Sequence, residues 1–208
     1  MTICEELARL GAATVYEASG RQGLLDAEFV QVVPRSRACG PARIARCGQD
    51  DNLMVHAAMA SLEAGEVLVL TMPEPAPVAL LGDLLATQAK ARKCAAVLVD
   101  AAIRDRDELE AMGLPIWSRW VRSRGAAKSV VGELDVPVTV GGQEVRPGDL
   151  VVLDADGVTI VAAERADEVL KAAKEREAKE ATKRAKLEAG ELSYELDGHR
   201  AVVEAGEP

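Results

Sequence analysis

The 208-residue chain carries 34 acidic and 25 basic residues, a formal charge of −9, so it presents no surface-wide positive field for nucleic acid or anionic lipid. An aromatic content of 2% leaves no stacking platform for single-stranded nucleic acid, and the longest apolar runs, 67–70 and 95–99, fall far short of the ~20 residues that cross a bilayer. These limits predict one soluble domain, able to bury around 70% of its unfolded surface, in which any anionic substrate is held by local cations. Cys4, Cys39, Cys47 and Cys94 are scattered without a C-x-x-C pair and without a secretory leader, which predicts reduced thiols in a cytoplasmic protein rather than disulfides or zinc.

In chain order, Thr2-Ile3-Cys4-Glu5 reads as a capping box that opens a helix running to Leu10. A second short helix is predicted over 14–19, stopped by Gly20, where positive φ carries no steric penalty. Strands follow over 29–33 and 42–47. Asp50 or Asp51 can cap a helix through 63 that ends at Gly65, and 66–72 is a β-rich run of the buried kind. Three prolines within 73–77 make a loop. A helix over 84–93, a strand over 95–100, a helix over 105–112 closed by Gly113 and a strand over 114–117 then give a βαβα rhythm and a parallel pairing. From 136 the pattern changes to short strands around Gly and Asp turns (137–140, 143–145, 150–154, 158–162), an antiparallel meander. Residues 165–189 form one long helix, about 37 Å at 1.5 Å per residue. Its centre, 174–186, is charged nearly all round and is therefore solvated or packed on another subunit. The tail after Gly190 has no clear period and is expected to be ordered only by a partner. The predicted organisation is a catalytic domain over 1–164 and a helix with tail over 165–208.

The chemistry concentrates in Gly82-Asp83-Leu84-Leu85 and, twenty residues further on, Arg104-Asp105. The amides of Leu84 and Leu85 at a helix start are a seat for a carboxylate. Arg104 offers a planar fork to the same group, and Asp105 supplies hard oxygen of the kind Mg²⁺ takes, both just after a strand, where α/β proteins hold ligands. Each residue also has a plainer reading: Asp83 and Asp105 as helix caps, Arg104 as a surface ion-pair partner contributing about 0 to 1 kcal/mol. Lys90 and Lys93 lie on a polar helix face with no sign of the desolvation a Schiff-base lysine needs. Neither His56 nor His199 has the partners of a nucleophile triad. The basic stretch 118–124, with Arg119, Arg122 and Arg124, reads as a loop that balances nearby acids or meets a second substrate carboxylate, or RNA, against which the net charge argues.

Four stretches carry a resemblance to a known family: ATVYEASGRQGLL (13–25), GDLLATQAKARKCAAVLVDAAIRDRDEL (82–109), VPVTVGGQEVRPGDLVVLDADGV (136–158) and KLEAGEL (186–192). Together they resemble the RraA-like family, and the Asp83, twenty residues, Arg104-Asp105 spacing resembles its class II pyruvate aldolase branch. The resemblance implies a layered β/β/α, swivelling-domain-like α/β fold with a long C-terminal helix, assembled as a homotrimer or dimer of trimers. It implies retro-aldol cleavage of 4-hydroxy-4-methyl-2-oxoglutarate or 4-carboxy-4-hydroxy-2-oxoadipate to pyruvate and a second oxo acid, with oxaloacetate decarboxylation as a side activity. Asp105 would ligate Mg²⁺ or Mn²⁺, and Arg104 with the Leu84 and Leu85 amides would hold the pyruvate portion. Asp83 would orient a proton-exchanging water. An acid on a neighbouring subunit's C-terminal helix, Glu180 first and Glu177 second, would contact metal-bound water. The same resemblance implies an alternative, a non-enzymatic regulator of RNase E or a helicase. One departure stands out: the family usually has Gly after the strand's Asp, whereas this chain has Ala101 after Asp100, which would strain the backbone if φ there were positive.

Overall fold

The fold is organised by strands that are apolar on both faces. In the computed structural model, which describes residues 1–206, β1 (Val30–Gln31), β2 (Ala38–Arg46), β3 (Val67–Thr71), β4 (Ala79–Leu81), β5 (Ala96–Ile103), β6 (Ile116–Val121), β7 (Glu133–Leu134), β10 (Leu150–Asp154) and β11 (Gly157–Val161) form one sheet. Its order is β1-β6-β5-β3-β2-β10-β11, with β4 on β5 and β7 on β2. The β2, β3, β5 and β6 pairings are parallel, as is β4 on β5, while β1, β7, β10 and β11 run antiparallel to their neighbours. Alternate residues of β3 explain the layering. Leu68 and Leu70 face α3 (Leu53–Ser61), α4 (Asp83–Ala91) and α5 (Arg106–Met112), whereas Val67 and Val69 face the hairpin β8 (Val138–Val140) and β9 (Gln143–Val145). The result is a helix layer, a central sheet and a small second β layer, the mixed α/β architecture expected from the sequence. Parallel strands covered on both sides read as continuous apolar runs for this reason.

A third cluster packs α1 (Ile3–Leu10) and α2 (Ala12–Ala18) with β10 and β11 through Leu7, Leu10, Val15, Val152 and Val161. The predicted capping box is present: the Thr2 side chain accepts from the Glu5 amide and the Glu5 carboxylate from the Thr2 amide. α2 starts earlier than expected because its cap comes from far along the chain. The buried Asp154 carboxylate accepts from the Ala12 amide at 2.9 Å.

Several boundaries move for identifiable reasons. β2 begins at Ala38 rather than 42 because β10 pairs with Ala38 to Pro41. β5 does not stop at Asp100. Pairing with β4 and β6 at Ala102 and Ile103 carries the ladder to Ile103, so Asp100 lies inside the strand, and β4 had no counterpart in the sequence reading. β6 likewise runs to Val121, so Ser118 to Val121 belong to a strand rather than to a basic loop. The meander is two structures: β8 and β9 form a separate hairpin, and β10 and β11 join the main sheet.

After a short turn (Ala163–Arg165), α6 (Ala166–Glu188) is the long helix expected. The chain divides into two compact units, Met1–Ala173 and a second from Lys174 onward. Within the second, the tail expected to be ordered only by a partner forms two short helices within the chain, α7 (Ser193–Leu196) and α8 (His199–Ala205). Lys183 meets Asp197 at 2.5 Å, and Arg200 pairs with Glu195 and Glu204. Among the described residues no helix is long and apolar enough to cross a membrane.

Leu98, at the centre of β5, is fully buried. Leu98→Ala is expected to lower unfolding free energy by roughly 2–5 kcal/mol through lost burial and an unfilled cavity, read as a lower urea midpoint at unchanged slope.

Candidate active site

The C-terminal end of β5 and the N-terminus of α4 lie side by side, and the candidate residues meet there. Gly82 is the N-cap of α4 and Asp83 its first helical residue, so Asp83 is not the side-chain cap that the plainer reading allowed. The cap is supplied across space: Asp105 Oδ2 accepts from the Asp83 amide at 3.1 Å. The next amides, those of Leu84 and Leu85, have no acceptor in the protein and point from the positive end of the helix. Leu84 is exposed and Leu85 buried. The contact needs a glycine at 82. A Cβ there would stand 2.6 Å from Asp105 Oδ2 and 3.0 Å from Arg104 Nε.

Arg104 follows β5 directly, its amide donating to Leu81 O at 3.0 Å. Its half-exposed guanidinium keeps Nε 3.5 Å from Asp105 Oδ2. Asp105 itself is left-handed, φ 57° and ψ 45°, and its side chain does not cap α5. Asp tolerates this conformation better than most residues, at a cost on the order of 1 kcal/mol. The cap predicted for α5 is thus replaced by a bond to the other helix. Ala101 is fully buried in β5 and is not among the residues with positive φ, so alanine in place of the family's usual glycine carries no backbone strain.

Two cavities open here. The first, about 100 Å³, is lined by Gly82, Asp83, Leu84, Leu85 and Arg104 together with Asn52, His56 and Lys128. The second, about 380 Å³, lies against Arg104, Asp105, Val121, Arg122 and Ser123. Arg104 borders both. A larger polar groove of about 700 Å³ beside Tyr16, Arg21, Arg146 and Arg165 contains none of these residues.

Asn52, His56 and Lys128 were not singled out in sequence as part of this site. The signal was indirect. Asp51, considered there only as a helix cap, is fully buried. Its carboxylate accepts from the Leu53 amide at 2.8 Å, the Ser129 amide at 2.6 Å and the Val130 amide at 3.0 Å. Asn52 N donates to Ala127 O at 2.9 Å. These bonds clamp the 126–130 segment, and Lys128 with it, beside the start of α3. Burial works to raise the Asp51 carboxyl, but the amides of Ser129, Leu53 and Val130 outweigh it and hold it below its ordinary value. The Asn52 amide donates to Leu80 O at 3.0 Å, while its Oδ1 is buried without a partner.

The arginines considered for a second substrate carboxylate separate. Arg119 bonds the buried Asp100 and lies 5.8 Å from the Phe29 ring and 5.9 Å from the Trp120 ring, so it serves the sheet rather than the cavity. Burial pushes the Asp100 carboxyl up against the opposing pull of Arg119. Arg124 lies 3.8 Å from Asp50. Arg122 alone joins Arg104 and Asp105 at a cavity. Glu180 and Glu177 belong to the second unit, where Glu180 pairs with Arg176 one turn earlier at 2.8 Å. Among the described residues no three His, Cys, Asp or Glu side chains cluster as a metal cage.

The Aldolase/RraA family model matches residues 2–160. The chain belongs to the RraA-like family. A Halalkalibacterium halodurans relative is 38% identical over 139 residues, covering 67% of this chain and 66% of its own length. A Bacillus cereus relative is 35% identical over 112 residues, covering 54% and 70%. Both are named, provisionally, as 4-hydroxy-4-methyl-2-oxoglutarate aldolases. Among solved structures, an uncharacterised Pseudomonas syringae protein superposes with a TM-score of 0.81 at 23% identity over 91% of this chain and 94% of its own. Streptomyces coelicolor RraAS2, described as an unusual member of the RNase ES inhibitor RraA family, has a TM-score of 0.77 at 30% identity over 88% and 95%. The RNA-processing inhibitor RraA from Thermus thermophilis has 0.60 at 33% over 64% and 80%. The fold of this RraA-like chain is therefore that of its family.

Two outcomes test the geometry. Gly82→Ala is expected to cost about 1–3 kcal/mol of stability by forcing Asp105 and Arg104 away from the helix start, measured by urea unfolding. Asp51→Asn is expected to cost on the order of 2 kcal/mol at neutral pH. Because the Asp51 carboxyl is held low in the folded state, its contribution is complete above the unfolded value near 4 and fades as pH falls below it. Parallel denaturation curves of the two proteins should converge in that acid range.

Proposed function

We propose that this protein is a divalent-metal-dependent lyase that cleaves a 4-hydroxy-2-oxo diacid, such as 4-hydroxy-4-methyl-2-oxoglutarate or 4-carboxy-4-hydroxy-2-oxoadipate, to pyruvate and a second oxo acid. The observation that carries the reading is the convergence of the free Leu84 and Leu85 amides, Arg104 and Asp105 around one helix start. The relatives' names support the same reaction class.

The site fits a hard cation of modest demands. Asp105 gives one oxygen to the Asp83 amide and has a second to offer, and Mg²⁺ is commonly bound through one or two carboxylates, with waters and substrate oxygens completing its shell. Mg²⁺ or Mn²⁺ held by Asp105 would polarise the substrate's oxo group and offset negative charge on it. Everything else falls to the chain. The Leu84 and Leu85 amides and the Arg104 fork bind the 2-oxo acid end; as the C4 hydroxyl gives its proton to water and becomes the second product's carbonyl, the C3–C4 electrons pass into the pyruvate enolate, whose negative charge these donors stabilise. Asp83 positions a water that returns a proton to the pyruvate methyl carbon. Lys128 and Arg122, at the two cavities, supply cations for the second carboxylate of a diacid, and Asn52 Oδ1 accepts from a hydroxyl or water. Oxaloacetate, which gives the same enolate on losing CO₂, would be decarboxylated as a side reaction. In this reading Glu180, with Glu177 as second choice, acts from a neighbouring subunit of a homotrimer or dimer of trimers.

A regulator reading is favoured by the two solved relatives described as RNA-processing or RNase inhibitors. Turnover decides between them. Purified protein with Mg²⁺ is expected to release pyruvate from 4-hydroxy-4-methyl-2-oxoglutarate, read by coupled reduction of pyruvate. Arg104→Lys should lower kcat/KM by roughly 10²–10³, the loss typical of one charge-stabilising donor. Capture of an RNase by the protein, with no turnover of any such diacid, would instead establish the regulator.

A further inference from the structure

Away from this site, two of the four cysteines are neighbours at one groove. Cys4 lies in the first turn of α1 and is partly exposed, whereas Cys39 is buried near the start of β2. The pair belongs to the contact between α1 and the sheet, where Cys4 packs against a cluster containing Leu7, Leu10 and Cys39. Both residues line one surface groove of about 500 Å³, with Arg37 on its wall, and Cys4 is the more exposed of the two, so a small solute reaches it first. The other two thiols are placed differently. Cys47 and Cys94 are buried apart from this groove, Cys94 donating to Ala96 O at 2.9 Å.

We propose that Cys4 and Cys39 form a peroxide-responsive pair, with Cys4 the thiol attacked first and Cys39 the one that resolves it to a disulfide tying α1 to β2. The chemistry balances with a hydroperoxide as the oxidant. The Cys4 thiolate attacks one peroxide oxygen, the O–O bond breaks, and hydroxide leaves with Cys4 oxidised to a sulfenic acid. Cys39 sulfur then displaces the sulfenic oxygen, which departs as water once protonated. Two thiols are oxidised and one peroxide is reduced to two waters.

The electrostatics agree with this order. The neighbouring Cys39 thiol lowers Cys4 to about 7, against the opposing effects of burial and Glu5. The Cys4 thiol and burial together push Cys39 up. Burial also pushes Cys47 up to about 12 and Cys94 up to about 11, which keeps both in the unreactive thiol form. An accessible thiolate beside a resolving thiol is the arrangement found in redox-responsive proteins.

The test uses the full chain, reduced and then exposed under native conditions to a small molar excess of hydrogen peroxide. Titratable thiols are expected to fall from four to two. Peptide mapping without reductant should yield a Cys4–Cys39 cross-linked peptide that dithiothreitol separates. Cys4→Ser should keep its remaining thiols under the same treatment. Cys39→Ser should leave a sulfenic acid at Cys4 that dimedone traps. Should Cys39→Ser fail to fold, the wild-type peptide map decides alone. Four surviving thiols, Cys4 carried to sulfinic or sulfonic acid beside a free Cys39, or a cross-link between Cys4 residues of two chains would each overturn the proposal.

Discussion

The bond from the Asp83 amide to the Asp105 carboxylate joins the end of a strand to the start of a different helix, and the candidate site is built around it. One oxygen of Asp105 caps α4 from outside at 3.1 Å, and this leaves the Leu84 and Leu85 amides free for a ligand. The price is a left-handed Asp105 and a glycine at 82 that no side chain can replace without displacing Arg104 or Asp105. Strain of this kind persists only where the surroundings over-determine it. Here they do: β5 is fully buried and hydrogen-bonded by β3, β4 and β6 up to Ile103.

The opposite wall depends on a second buried carboxylate. Asp51 converts an irregular segment into a fixed one by accepting three backbone amides, two of them from the segment that carries Lys128. A carboxylate so satisfied can stay ionised inside the protein, whereas an unpartnered one would cost several kcal/mol. Asn52 follows it in sequence, presenting its donor to Leu80 and leaving its acceptor unused beside the cavity. The two walls therefore differ in character. One offers a helix end and a guanidinium, the other an ammonium and an amide, which suits a substrate with unlike ends.

Much of this was legible in the sequence where local signals agree. Thr2 and Glu5 announce the first cap, the apolar run 67–70 announces a central strand, and Gly113 closes α5 in the left-handed conformation expected of it. The spacing of Asp83, Arg104 and Asp105 was legible as the pattern of the family's aldolase branch, and the structure brings them together because α4 and β5 return the chain to the same edge. What the sequence hid was non-local. β4 is only three residues long and is stabilised by β5, so no periodicity betrays it. Asp100 looked like a strand end because its charge interrupts an apolar run, yet Arg119 on β6 allows it to be buried within β5. Lys128 has no motif at all. Its place is set by Asp51, 77 residues earlier, and the nearness of Cys4 to Cys39 depends equally on the packing of α1 against β2.

The central claim is that Asp105 and its neighbours form a metal-dependent site for a pyruvate enolate. Proton NMR of pyruvate in D₂O, with the protein and Mg²⁺ present, tests it without knowledge of the natural substrate. The methyl protons should exchange for deuterium in wild type, and the exchange should stop on adding EDTA and in Asp105→Ala. Exchange that survives both the chelator and that substitution would contradict the account.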